Sequence, residues 1–254
     1  MFNFRPTPNK YTMDYTIGFL STEWMITVLA SLAFILFILY MGKISKQENK
    51  IKFIKIIALI MIFFTITNHV IHLYDGTWSE VDQLPIHLCG ISALICCFIV
   101  FIPENKRQFL FEFLFYCGII GGTVSILTPL IDNTEKDWFT IVERNEGSVN
   151  FFYIQFFVKH AIILAFPLYL RNVMNMELKT YSWLRTFIAL NVLLAIIMPI
   201  NHFLGSNYMY LAEAPAVDNP LILTREWPWY VLTWEPIILI LILIVYYFSK
   251  PKKV

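Results

Sequence analysis

Residues 19–41 read FLSTEWMITVLASLAFILFILYM, and Glu23 is the one charged side chain among them. A helix that crosses a membrane needs about 20 predominantly apolar residues, so this stretch predicts a membrane-spanning helix. It follows eighteen polar and aromatic residues and is too long for the apolar part of a cleaved signal peptide. We therefore expect the helix to be retained as the first span.

Six further stretches have the same apolar character. Hydrophobic residues make up 58% of the chain and charged residues only 15%, whereas a soluble domain carries roughly 25% charged residues. Lipid is therefore the expected surrounding of the chain. The sequence predicts an all-α polytopic membrane helix bundle, one transmembrane domain over residues 1–254 with about seven transmembrane helices at 19–41, 51–73, 84–102, 108–131, 151–170, 182–204 and 229–248.

Charged residues alternate along the chain and orient the bundle. Thirteen of the nineteen Lys and Arg residues fall in or beside the loops after the first, third and fifth spans or in the C-terminal tail, and the loops between these are acidic. Since cytoplasmic loops carry the excess of Lys and Arg, we predict the N-terminus outside and the C-terminus inside the cytoplasm. The net charge of +1 provides no basic field for nucleic acid, so no nucleic-acid partner is expected.

Polar residues recur within the spans at spacings of three and four, which place them on single helix faces. Such groups are costly in a bilayer and usually face the bundle interior or a cavity. They either bond to each other and hold helices together or line a polar cavity, which the predicted orientation places in the outer leaflet. For the glycines of the fourth span we favour close helix packing. The set includes all five histidines: His69, His72, His87, His160 and His202.

One of the four cysteines lies near a predicted helix start. In Leu84-Pro85-Ile86-His87-Leu88-Cys89, Asp82 is suited to cap the third span and Pro85 to its first turn. Cys89 would then lie about one turn inside the helix, where the positive end of the dipole favours the nucleophilic thiolate. The alternative is that Cys89 is a small buried apolar residue, which is how we interpret the other three, Cys96, Cys97 and Cys117.

The base for such a thiolate is not fixed by spacing. His87 is two residues from Cys89, and residues two apart on a helix point in different directions. His160, His69 or His72 are candidates from other helices. His160 lies about 15 Å and Cys89 about 8 Å along their predicted spans, so their contact would need helix tilt or a recessed cavity.

Three segments resemble a known family. Leu84–Cys89 resembles the signature of the YwaF family of bacterial membrane proteins, which is related to the eukaryotic transmembrane protein 164, an acyltransferase that acts on ether phospholipids. Lys159-His160, followed by an apolar stretch to Pro167-Leu168-Tyr169-Leu170, resembles its fifth span. The segment at 205–211, GSNYMYL, resembles its Gly-Thr-Asn-Tyr segment with Ser206 in place of Thr.

The resemblance implies a lipid acyltransferase or lipid hydrolase of the bacterial cell membrane that acts through an acyl-thioester. Cys89 would be the nucleophile and His160 the base, and Asn68, Asn207 or a further His would stabilise the oxyanion. We expect phospholipid or lysophospholipid as partner and no cofactor or metal. The residues assigned to substrate binding are His87, Asn68, His69, His72, His202, Asn207, Tyr208, Glu23 and Glu235.

Two other functions remain open at this stage. His69-x-x-His72 places two imidazoles on one helix face, and a third histidine could complete a zinc site of a lipid hydrolase. Polar residues in spans broken by Gly or Pro are also typical of a small-molecule or ion transporter, for which Lys159, Glu23 and the pair Glu235-Pro236 are suited. The sequence shows no internal repeat of the kind many transporters have.

Overall fold

The computed structural model describes residues 12–134, 151–215, 217 and 219–249, with the backbone alone for 12–15 and 132–134. It confirms an all-α polytopic bundle, because six of its helices are long and apolar enough to cross a membrane and a seventh is shorter. The helices are α1 (Thr22–Ile44), α2 (Gln47–Tyr74), α3 (Leu88–Phe98), α4 (Gln108–Leu127), α5 (Phe151–Asn172), α6 (Ser182–Leu204) and α7 (Trp229–Ser249).

Helix α3 starts later than the sequence predicted. Its N-cap is His87, so Asp82 does not cap it and Pro85 lies in the turn before it. The chain folds back tightly there, since a Cβ on Gly90 would lie 2.8 Å from the Pro85 backbone. The Leu84 N–H donates to the hydroxyl of Tyr208, 2.9 Å away, after α6. These contacts, which no local pattern reveals, keep residues 84–87 out of the helix.

Two short strands, which were not predicted, join segments far apart in sequence. β1 (Thr12–Thr16) pairs antiparallel with β2 (Leu130–Thr134). Beside them, the Trp24 indole donates to the Leu127 carbonyl over 2.7 Å, which brings the start of α1 to the end of α4. Chain segments on the same side of a membrane are separated by an even number of crossings. Because β1 precedes α1 and β2 follows α4, the chain between them crosses the membrane an even number of times. Helices α1, α2 and α4 account for three crossings, so α3 must account for the fourth.

At the opposite end of the bundle, hydrogen bonds join chain segments that the charge alternation places on one side of the membrane. The Tyr169 hydroxyl donates to the Lys50 carbonyl over 2.9 Å, and Arg171 donates to the Ser249 carbonyl over 2.6 Å. The relative sides of the loops therefore agree with the charge alternation, while which end faces the cytoplasm stays a prediction. Several charged residues used for it lie outside the described residues: Arg5, Lys10, those at 135–146, Asp218 and the lysines at 250, 252 and 253.

Glycines of α4 pack against α5, as the fourth span's composition predicted. A Cβ on Gly118 would lie 2.7 Å from the Ile163 carbonyl oxygen, and one on Gly122 would lie 3.2 Å from the His160 carbonyl oxygen. Backbones this close need small residues at the contact. Gly121 is different, because its nearest neighbour is the Cys89 sulfur at 3.8 Å. Helix α4 thus contacts α5 through Gly118 and Gly122, and it contacts the Cys89 sulfur of α3 through Gly121.

A buried carboxylate, which the sequence analysis did not single out, holds the opposite end of the bundle. Glu112 of α4 is 1% exposed and forms a salt bridge with Arg185 of α6 at 2.7 Å. Gln108 and the Lys179 backbone N–H also donate to it. Because a buried charge must be paired and hydrogen-bonded, this cluster ties α4 firmly to the start of α6.

Candidate functional site

Cys89 differs from the other cysteines in its surroundings. It is the second residue of α3 and is partly exposed, whereas the other three cysteines are buried among core residues. Its sulfur lies 3.4 Å from the hydroxyl oxygen of Ser125 on α4, a residue that the sequence placed on a polar stripe but not in the site. A cysteine that is partly exposed and has a polar neighbour at its thiol fits a chemical role better than a packing role.

The first turn of α3 offers free backbone donors beside this thiol. His87 forms no side-chain cap, and the first N–H of the helix to reach a carbonyl is that of Ile91, which donates to the His87 oxygen. Among the described residues, the N–H groups of Leu88, Cys89 and Gly90 have no hydrogen-bond acceptor. Such N–H groups at a helix start attract negative charge.

Lys159 supplies a positive charge near the thiol. Its ammonium group interacts electrostatically with Cys89 and Cys97 of α3. In the part of the chain that the structure describes, the salt bridges are Arg107–Glu104 and Arg185–Glu112, so no described carboxylate pairs with Lys159. From the sequence, this lysine had a functional role only in the transport alternative.

His160 follows Lys159 on α5, and its imidazole ring is positioned by contacts with Phe156. Its Nδ1 donates to the Phe156 carbonyl over 2.7 Å, and its ring lies 4.3 Å from the Phe156 ring centroid. This bond leaves Nε2 as the basic nitrogen. Its carbonyl contacts Gly122, the neighbour of the Gly121 that faces Cys89. No hydrogen bond joins Cys89 to His160 among the described residues, so their pairing stays a prediction.

A row of amides connects α2, the segment before α3, and α5. Gln155 donates through Nε2 to the Asn68 Oδ1, and Asn68 donates through Nδ2 to the Gln83 Oε1 at 3.4 Å. Gln83 and Gln155 are both buried. Only Asn68 was in the predicted set. Gln155 lies one helical turn before Lys159, a spacing of four that could have linked these two residues from the sequence.

The imidazoles of His69 and His72 have different hydrogen-bond partners. The Trp78 indole donates to the His69 Nδ1 over 3.2 Å, while the His72 Nδ1 lies 3.0 Å from the Thr77 hydroxyl and its ring lies 5.1 Å from that of Phe152. Over residues 12–134, 151–215, 217 and 219–249, no group of three or more His, Cys, Asp or Glu side chains is arranged to hold a metal ion. This finding gives the zinc alternative no support.

His87 and Tyr208 belong to a scaffold that positions the start of α3. The His87 Nδ1 accepts the Met209 N–H at 3.1 Å, and its ring lies 5.1 Å from that of Tyr208. The fully buried Tyr208 hydroxyl donates to the Glu80 carbonyl over 2.7 Å. Burial raises the pKa of Tyr208 to about 12, so the hydroxyl keeps the proton that it donates. Both residues therefore hold neighbouring backbone.

Asn207 is also occupied by backbone groups. Its Oδ1 accepts the N–H groups of Ala212 and Glu213, each at 3.0 Å, and its Nδ2 donates to the Glu213 carbonyl. This pattern closes the loop after α6 in the way that Asn side chains commonly do. The Asn207 amide therefore stabilises the loop, and its predicted role at the oxyanion stays a prediction.

The remaining predicted residues have separate partners. Glu23 accepts a hydrogen bond from the Tyr153 hydroxyl at 2.8 Å, between α1 and α5. Glu235 accepts one from Asn191 at 3.2 Å, between α7 and α6. His202 lies exposed on α6, with its ring 5.8 Å from that of Phe203. Among the described residues, no hydrogen bond or ring contact joins any of these three to Cys89.

Comparison with known proteins gives one match. A family model described as the TMEM164 family matches residues 18–246, nearly the whole chain. This family is related to the YwaF family that the three sequence segments resemble. No curated protein and no solved structure matches the chain significantly.

Proposed function

Because this chain belongs to the TMEM164 family of membrane proteins, we propose that it transfers or hydrolyses acyl chains of membrane lipids through a thioester on Cys89. The substrate would be a phospholipid of the outer leaflet. His160 is proposed as the base, and Asn68 and the first turn of α3 are proposed to contact the reacting ester.

The observation that carries the proposal is the setting of Cys89. The residue is partly exposed, and its sulfur lies 3.4 Å from the Ser125 hydroxyl and beside three backbone N–H groups without acceptors among the described residues. A nucleophile needs access, a partner for its negative charge and donors for the oxyanion that forms on the substrate. Cys96, Cys97 and Cys117 are buried and do not share this setting.

The first half-reaction follows from these groups. The Nε2 of His160 takes the thiol proton, and the Cys89 sulfur attacks the ester carbonyl carbon of the lipid. The oxyanion forms beside the N–H groups of Cys89 and Gly90. Collapse of this intermediate breaks the bond to the glycerol oxygen, which receives the proton from His160 and leaves as a lysolipid.

The second half-reaction restores the thiol. A lysolipid hydroxyl, or water, gives its proton to His160 and attacks the thioester carbonyl, and the Cys89 sulfur leaves and is reprotonated by His160. The first acceptor gives acyl transfer and the second gives hydrolysis. The mechanism requires His160 to reach the thiol when substrate is bound, since catalytic hydrogen bonds are often long without substrate.

Capture of the covalent intermediate tests the proposal. The purified protein is incubated with a phospholipid that carries an isotope-labelled acyl chain, and the mass of the intact protein is measured before and after neutral hydroxylamine. We expect a mass increase of one acyl group on Cys89, removed by hydroxylamine, and labelled product lipid over time.

Matched variants make the result specific. Cys89→Ala should abolish both the adduct and turnover, while Cys117→Ala, which changes a core cysteine of α4, should keep both in the fraction that folds. His160→Gln should slow formation of the adduct by about 100-fold or more, the range of general-base catalysis. Turnover that survives in the Cys89→Ala variant would refute the proposal.

A further inference from the structure

Two polar side chains, Gln155 and Lys159, lie one turn apart on α5. Gln155 is 6% exposed, and its Oε1 has no hydrogen-bond donor among the described residues. Lys159, four residues later, has no described carboxylate as a partner. Residues four apart lie on the same helix face. One side chain therefore lacks a donor and its neighbour lacks an anion.

In the arrangement that the structure shows, the unsatisfied atom of Gln155 is its amide oxygen. Its Nε2 donates to Asn68 Oδ1, and the Asn68 Nδ2 in turn donates to Gln83. Turning the Gln155 amide alone would place its oxygen against the Asn68 oxygen, so Oε1 gains a donor only if the Asn68 and Gln83 amides turn with it. A buried acceptor without a donor costs about 1–3 kcal/mol, and such a group in a native protein points to something that completes it.

The surroundings of Lys159 point to the same place. It lies on α5, which packs against α2 and α3, and the groups that its charge influences include Cys89, Cys97 and His69 on those two helices. None of these three side chains is a carboxylate. A cation within a membrane domain is usually paired or lines a ligand site, and an anionic ligand here would lie beside the proposed nucleophile.

We propose that Gln155 and Lys159 form a subsite for a glycerophosphate group that carries a free hydroxyl. The Lys159 ammonium binds the phosphate, and the Gln155 Oε1 accepts a hydrogen bond from the hydroxyl. A lysophospholipid carries both groups on one glycerol. The identification of the ligand as a lipid rests on the proposed function, and it would give the site a place for an acyl acceptor.

Binding to a chemically inactive variant tests the subsite separately from the reaction. All proteins carry Cys89→Ala, so failure of the thioester mechanism does not affect the measurement. Affinity in detergent is measured by native mass spectrometry for lysophosphatidic acid, phosphatidic acid, monoacylglycerol and soluble glycerol 3-phosphate. The first has phosphate and hydroxyl, the second lacks the free hydroxyl, the third lacks the phosphate, and the fourth lacks the acyl chain.

Lysophosphatidic acid should bind best. Lys159→Met should weaken its binding at least tenfold and leave monoacylglycerol unchanged, and Lys159→Arg should recover part of the loss. Gln155→Leu should weaken lysophosphatidic acid by about threefold to tenfold and leave phosphatidic acid unchanged. Lys52→Met, at an exposed lysine of α2, is the control.

Three outcomes would overturn the subsite. One is equal binding of lysophosphatidic acid by the Cys89→Ala protein with and without Lys159→Met. Another is a Gln155→Leu loss that is the same for both phosphate lipids, because the amide would then not recognise the hydroxyl. The third is a Lys159→Arg variant no better than Lys159→Met. Glycerol 3-phosphate that binds as well as the lipid would support the subsite and assign it to soluble phosphate esters.

Discussion

The sulfur of Cys89 and the hydroxyl oxygen of Ser125 lie 3.4 Å apart, and this contact joins the start of α3 to the second half of α4. Ser125 lies one turn after Gly121, whose missing side chain leaves room for the sulfur at 3.8 Å from the ideal Cβ position. One face of α4 therefore provides both the space for the thiol and its polar neighbour.

Removal of the Ser125 hydroxyl should reduce the reactivity of Cys89. The hydroxyl can donate to the thiolate, and a hydrogen bond of about 1 kcal/mol corresponds to about fivefold in rate. Ser125→Ala should lower the rate of Cys89 alkylation by about that factor. Ser31→Ala removes a buried hydroxyl of α1 that has no described partner, and it should leave the rate unchanged.

Cys89 should react faster than the other cysteines with a long-chain alkyl iodoacetamide. It is partly exposed, whereas Cys96, Cys97 and Cys117 are buried. Thiolate character and access determine such rates, so we expect selectivity of about tenfold or more. Peptide mass spectrometry after short exposure measures it. Equal labelling of Cys97 and Cys89 in the folded protein would contradict the assignment.

Gly118→Ala should destabilise the bundle, although alanine is the better helix former. The new Cβ would lie 2.7 Å from the backbone oxygen of Ile163, so α4 and α5 must separate. Overpacking of this kind costs about 1–3 kcal/mol, more than the roughly 1 kcal/mol gained in helix propensity. Thermal unfolding in detergent measures the change. Gly18→Ala has nothing within 4 Å of its Cβ and should not show this loss.

Tyr208→Phe should loosen the start of α3. The substitution leaves the Leu84 N–H and the Glu80 carbonyl without the hydroxyl that both use, at a cost of about 1–3 kcal/mol. We expect lower thermal stability and faster hydrogen exchange at residues 80–90. Tyr181→Phe changes an exposed residue and should have no effect. Unchanged exchange in the Tyr208→Phe variant would show that the contact does not hold this segment.

Arg185→Met should destabilise the opposite end of the bundle, because it leaves the buried Glu112 carboxylate without its cation. A buried charge that loses its partner costs about 3 kcal/mol, and the partial exposure of Arg185 places the expected loss at or below that value. Adding Glu112→Gln should recover part of the stability in a double-variant measurement. A double variant no more stable than Arg185→Met would exclude the charge as the cause.

The helices could be predicted from the sequence, but their contacts could not. Apolar runs gave α6 at residues 182–204, with the bounds that the structure shows, because a bilayer imposes both length and composition. The start of α3 at Leu88 depends on Tyr208, which lies more than a hundred residues away. No local pattern carries that information.

The residues of the candidate site could likewise be predicted from the sequence only in part. Cys89 and Asn68 could be identified from one helix at a time, since each follows a local pattern. Only contacts with side chains on other helices bring in the remaining residues of the site, Gln83, Gln155 and Ser125. Glu112 was absent from the analysis for this reason, because a single acidic residue near a helix start is usually solvated.

The length of α3 determines how deep the thiol lies. Its 11 residues and the three of the following 3₁₀ turn rise by about 22 Å, while the hydrocarbon core is about 30 Å thick. We therefore expect the irregular turn at 84–87 to lie below the membrane surface, sheltered by protein as such backbone must be. A lipid could present its ester linkage, which lies beneath the phosphate, to the sulfur without being lifted from its leaflet.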